Sequence, residues 1–149
     1  MAQKLFIIRG LPGSGKSTFA KTLLDRNPTM KHFEADMYFC QKTGEYEFDP
    51  SKLHHAHQWC WDSVAEALSE GRDVVVSNTF TQLWEMERYM AFRHHRCEVI
   101  VIEMWVMWGS VHNVPDSSIS KMAARWEEIP KEMVMIDFPL GEYTANILK

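Results

Sequence analysis

Residues 4–9, KLFIIR, form a short and nearly continuous apolar run that stops at a glycine, the pattern of a parallel strand buried on both faces. After the glycine-rich stretch that follows, residues 17–26 (STFAKTLLDR) set Phe19, Leu23 and Leu24 on one face at helical spacing, and Asn27-Pro28 stops the helix. Residues 31–35 have the length of a strand. Beyond Pro50, the positions Leu53, Ala56, Cys60, Val64, Ala67 and Leu68 make a long helical stripe, with Gly71 as its C-terminal cap. Residues 73–77 (DVVVS) and 98–105 (EVIVIEMW) read as buried strands, with a helix over 82–95 between them. Val114-Pro115-Asp116 opens a further helix over 117–128, and residues 133–138 read as the last strand.

Strands that alternate with helices imply right-handed βαβ units, hence an α/β fold with a parallel sheet and helices on both faces. In such a sheet the reactive groups gather at the carboxyl ends of the strands. A length of 149 residues suits one domain, residues 1–149, and the chain has no linker, repeat or low-complexity segment.

Composition narrows this picture. Hydrophobic residues at 46% and charged residues at 24% exclude a disordered chain. The start, MAQKLFIIRG, lacks the length and flanks of a secretory signal, so a cytoplasmic location is expected and no membrane association. Cys40, Cys60 and Cys97 lie far apart, an odd set that fits reduced packing residues better than disulfides or a zinc site. A net charge of -4 argues against a broadly basic nucleic-acid coat, leaving a local basic groove open. His54, His55 and His57 lack accompanying carboxylates or cysteines and read as surface or packing residues.

The chemistry concentrates after the first strand. Residues 10–18, GLPGSGKST, satisfy G-x-x-x-x-G-K-[ST] in the setting the motif requires, between an apolar strand and an amphipathic helix. Gly10, Leu11, Pro12, Gly13, Ser14, Gly15, Lys16, Ser17 and Thr18 would wrap backbone N–H groups around the phosphates of ATP. Lys16 would neutralise the β and γ phosphates, and the Ser17 hydroxyl would bind Mg²⁺. GTP is an alternative nucleotide, since such a loop reads phosphate. Of the carboxylates at the second strand end, Asp36 is placed to take the proton of an attacking hydroxyl, capping the following turn being its plain structural alternative. Ser77, Asn78 and Thr79, at the end of the strand DVVVS, are candidates for holding the water shell of Mg²⁺ or the acceptor phosphate, a plain strand-ending turn being the alternative. Lys121 and Arg125 are four residues apart, on one helix face, and are candidates for a basic lid over the γ-phosphate.

The stretches GLPGSGKSTFA, EADMYF, VVVSNTFT and VHNVPDSSISKMAARWE resemble the kinase domain of polynucleotide 5′-hydroxyl kinases. They resemble more closely a group of small P-loop proteins common in bacteriophages and named AAA-type ATPases or kinases, related to a domain of an animal ubiquitin-ligase-binding protein. The resemblance covers residues 4 to about 138. It implies a P-loop NTPase/kinase fold with a small basic lid helix, and no AAA+ motor. It implies Asp36 as the base, Lys121 and Arg125 as the lid pair, and the 5′ end of DNA or RNA as the favoured acceptor. Two positions depart from the pattern: Phe39 stands where an arginine contacts the acceptor phosphate, and Ser77 or Asn78 stands where an aspartate is common. A nucleoside monophosphate and a hydroxymethyl group on a modified base remain alternative acceptors. An ATP-binding switch that acts through a protein partner is the alternative outside the kinases.

Overall fold

The computed structural model describes residues 3–41, 43–104, 114–129, 134–137 and 143–148, the last two segments as backbone only. Six strands form one sheet in the order β2-β3-β1-β4-β6-β5. Strand β1 (Gln3–Gly10) lies between β3 (Val74–Asn78) and β4 (Cys97–Met104), and β2 (Lys31–Phe33) pairs with the outer side of β3. These four strands are parallel, as the alternation of strands and helices predicts. The far side departs from the expected all-parallel sheet: β6 (Tyr143–Leu148) pairs antiparallel with β4, and β5 (Val134–Asp137) pairs antiparallel with β6. The stretch YTANI does alternate apolar and polar residues, a strand signal that lies beyond the last strand read from the sequence, at 133–138.

Alternate residues of the central strands feed two cores. Leu5, Ile7, Val74, Val76, Val99 and Val101 face Ala56, Cys60 and Val64 of helix α2 (Leu53–Ser69) and Met86 and Tyr89 of helix α3 (Leu83–Met90). Ile8, Val75, Ile100, Ile102 and Met104 face Ala20, Phe19, Leu23 and Leu24 of helix α1 (Lys16–Arg26) on the other side. Each fully buried aliphatic side chain of this kind stabilises the fold by about 1.5–3 kcal/mol. Cys60 and Cys97 are buried free thiols, and Cys40 is a half-buried one. Among the described residues no helix is long and apolar enough to cross a membrane.

Helix ends follow local chemistry. Gly71, at φ 82°, closes α2 as expected: its N–H reaches the Leu68 carbonyl at 3.0 Å and the Arg72 N–H reaches Ala67 at 3.2 Å. The helix expected over 82–95 stops at Met90 and tightens into a 3₁₀ turn, Ala91–His95, before Arg96 at φ 60°. Helix α4 (Asp116–Ala124) is shorter than the stretch 117–128 read from the sequence. Past Arg125 the chain leaves the helix because the Glu127 N–H turns to the Thr81 carbonyl, at 2.7 Å, and Trp126 lies beneath the Arg9 guanidinium. Trp105 and residues 133 and 138, which the strand readings include, lie outside the described residues.

Candidate functional site

The loop from Gly10 to Ser17 joins the carboxyl end of β1 to the amino end of α1 at the centre of the sheet. Gly10 has no room for a side chain, since a Cβ there would run into Ser14 Oγ and sit 3.0 Å from the Met104 carbonyl oxygen. Gly13 and Gly15 take φ of 85° and 88°, the left-handed region where a side chain is strained. The Ser14 N–H closes the turn on the Leu11 carbonyl at 3.1 Å. Ser14 is 1% exposed, and its hydroxyl has no hydrogen-bond partner among the described residues. Lys16 opens α1, so first-turn N–H groups without helical partners line the same loop. Lys16 Nζ donates to the Leu11 carbonyl at 3.0 Å, and burial pushes its pKa down to about 8 against the pull of Glu34 and Asp36. An orphaned buried hydroxyl, a glycine seat and an ammonium at a helix start form a donor set that fits a phosphate chain.

Among the described residues, the carboxylate hydrogen-bonded to this loop is Glu34. Ser17 Oγ and Ser77 Oγ both donate to Glu34 Oε1, the latter at 2.8 Å. His32 Nε2 lies 2.7 Å from Ser77 Oγ and 3.2 Å from Glu34 Oε1. Sheet register sets this meeting: Phe33 is opposite Val76 and Ile8 is opposite Ser77, so Glu34 and Ser77 leave neighbouring strands at one level. Burial alone would raise the Glu34 pKa, but hydrogen bonds from His32, Ser17 and Ser77 outweigh it and hold the group at about 2. The pattern His32-x-Glu34 at a strand end is the sequence signal for this carboxylate, two residues before Asp36.

Strand β2 ends at Phe33, short of Ala35, so Asp36 occupies the first turn of a 3₁₀ segment, Ala35–Cys40. Its Oδ1 accepts from the Tyr46 hydroxyl at 3.3 Å. Asp36, after Glu34, is one of the two charges that oppose the downward shift of Lys16. Asn78 is 8% exposed and engaged at both ends: its Oδ1 accepts from the Ala35 N–H at 2.9 Å, and its Nδ2 reaches Cys60 Sγ at 3.8 Å. It braces the segment that carries Asp36, whereas Thr79 is half-buried at the start of the next loop. Phe39 is 7% exposed and packs edge-on against Tyr38, Tyr46 and Phe48, with ring centres 5.2–6.2 Å apart.

The Thr81 loop meets Arg125 beside β1. Arg125 Nε donates to Thr81 Oγ1 at 3.1 Å, while Lys121, one turn earlier, is exposed. Arg9, the residue before Gly10, is fully buried and holds this junction together. It donates to the Phe80 carbonyl at 2.7 and 3.1 Å and to the Thr81 carbonyl at 3.3 Å, pairs with Glu103 at 3.2 Å, and stacks 3.7 Å over the Trp126 ring. A charged residue closing an apolar strand was its only sequence signal.

The family model described as AAA domain matches residues 5–111. The human NEDD4-binding protein 2 is 33% identical over 154 residues, an alignment that covers 96% of this chain and only 9% of that protein. The Pnkp1/Rnl/Hen1 RNA repair complex contains a chain that is similar with a TM-score of 0.58 at 20% identity, over 88% of this chain and 41% of that one. A gluconokinase from Sinorhizobium meliloti 1021 is similar with a TM-score of 0.55 at 16% identity, over 87% of this chain and 78% of that one. Both structural likenesses are likenesses of fold, the P-loop NTPase fold that kinases share.

Proposed function

We propose that this chain, which belongs to the AAA domain family, is an ATP-dependent phosphotransferase that moves the γ-phosphate to a hydroxyl group, foremost the 5′-hydroxyl of a DNA or RNA strand. The observation that carries the reading is the loop at 10–17, where Ser14 Oγ is buried without a partner among the described residues and Lys16 stands at the helix start. Lys16 neutralises the phosphate chain and the loop amides orient it. Asp36, held by the Tyr46 hydroxyl, takes the proton as the acceptor oxygen bonds to phosphorus and the bridging oxygen leaves with ADP. Lys121 and Arg125 offset the charge that builds on the transferring group. Mg²⁺ fits the site through the Ser17 hydroxyl, and when bound it supplies further neutralisation of the phosphates. Asn78 braces the segment that carries Asp36, and Thr79 beside it is a candidate to meet the acceptor.

The acceptor as a nucleic-acid end is supported by the fold shared with a chain of an RNA repair complex. One observation favours a second reading, an ATP-binding switch: Phe39 is locked in an aromatic cluster where a phosphate-contacting arginine is common. Incubation with γ-labelled ATP and a panel of 5′-hydroxyl oligonucleotides, nucleoside monophosphates and hydroxymethylated DNA separates these readings. Label is expected on the oligonucleotides and absent with Lys16→Ala. Label on another acceptor corrects the substrate class, and free phosphate as the sole product overturns the transferase reading.

A further inference from the structure

A nucleotide-bound divalent cation takes oxygen ligands and retains several waters, with one or two carboxylates from the protein. Among the described residues no group of three His, Cys, Asp or Glu side chains is placed to hold a metal by itself, so phosphate and water must complete any such site. The rung of β3 that faces the phosphate loop carries Ser77, a neutral hydroxyl. The carboxylate at that level comes instead from the neighbouring strand. We propose that Glu34 is the acidic anchor of the nucleotide's divalent cation, acting beside the Ser17 hydroxyl, and that Ser77 and His32 serve to aim it.

Three features carry the assignment. Glu34 is the partner of Ser17 Oγ, the hydroxyl that follows Lys16 at the end of the phosphate loop, and a hydroxyl that donates to a carboxylate keeps its lone pairs for a cation. The remaining contacts on Glu34 come from Ser77 on the neighbouring strand β3 and from His32 on β2 itself, and both fall on Oε1, so they fix one carboxylate oxygen and leave Oε2 without a partner among the described residues. The side chain is 16% exposed, which leaves a cation and its waters a side from which to approach the carboxylate. A purely structural role, holding the Ser17 rotamer, would predict no effect on cation affinity beyond that of losing the Ser17 contact.

The inference rests on the nucleotide reading, and its test needs no acceptor. ADP affinity is measured by calorimetry with Mg²⁺ and with EDTA, and Mn²⁺ affinity of the ADP-loaded protein by electron paramagnetic resonance. Glu34→Gln is expected to bind ADP in EDTA at least as tightly as the parent, to lose the gain that Mg²⁺ brings, and to weaken Mn²⁺ binding by about tenfold or more. The double variant E34S/S77D, which shifts the carboxylate one strand inward, is expected to recover most of that affinity. If E34Q keeps the Mg²⁺ gain and its Mn²⁺ affinity stays within about twofold of the parent, or if E34S/S77D binds Mn²⁺ no better than Glu34→Ser alone, the assignment is wrong. A parent protein that binds no ADP in either buffer overturns the nucleotide reading and this inference with it.

Discussion

Replacing Arg9 by methionine isolates the energetics of the junction behind the phosphate loop. The side chains of Arg9 and Glu103 are 0% and 6% exposed and 3.2 Å apart, so the substitution leaves a carboxylate in the sheet with no cation beside it. Breaking a buried pair from one side costs about 3–5 kcal/mol. The same change strips the Phe80 and Thr81 carbonyls of the guanidinium, although Phe80, held at φ 47°, regains about 1–2 kcal/mol if its backbone relaxes. A net loss of about 4 kcal/mol is a large share of the 5–15 kcal/mol typical of a domain. Glu103→Leu alone should cost less, because Arg9 keeps its carbonyl partners and its place over Trp126. Arg9→Met with Glu103→Leu removes both charges and should cost clearly less than the two single losses together. Equilibrium urea unfolding of the parent and the three variants gives the coupling energy directly. Coupling below about 0.5 kcal/mol, or a loss below about 1 kcal/mol for Arg9→Met, would refute the account of Arg9 as a buried tie.

Lys16, brought from the ordinary 10.5 to about 8 by burial, should make nucleotide affinity fall as pH rises past 8, by up to about tenfold per pH unit, with proton uptake on binding. The sign for the free protein is opposite: between 8 and 10.5 the unfolded chain binds the extra proton, so stability gains from Lys16 as pH climbs. Calorimetric titrations with ADP in buffers of different ionisation enthalpy read both the affinity and the proton, and an affinity that stays flat across this range sinks the argument. Gly10→Ala drives a methyl against Ser14 Oγ and the Met104 carbonyl, an overpacking of about 1–3 kcal/mol at the nucleotide seat. It should fold yet lose the rise in melting temperature that ADP gives the parent, whereas an undiminished rise would show that the loop tolerates the intrusion.

The elements that position the loop were legible because their signals are local. KLFIIR and DVVVS are continuous apolar runs, GLPGSGKST is a motif with its own setting, and Gly71 closes a helix as glycine commonly does. The rest depends on partners far away in the chain. Glu34 is singled out by Ser17 and Ser77, and Asn78 is a brace because Ala35 and Cys60 lie at its two ends. The end of α4 is set by Thr81 and by Arg9 stacked on Trp126, contacts that override the helical spacing of Lys121 and Arg125. Strand β6 carries an alternating pattern over YTANI, but its antiparallel place beside β4 comes from pairing with a strand much earlier in the chain.

Strand β6 also bears on where the polypeptide can be cut. It shields the flank of β4 from Val99 to Met104, a strand as apolar as any in the core. A product ended at residue 111, the limit of the family match, would leave that flank bare. Uncovered ladders of this kind recruit one another, so such a fragment is bound for precipitation even with every residue of the nucleotide loop in place. For expression work, the strand that ends at Leu148 belongs with the parallel strands it completes.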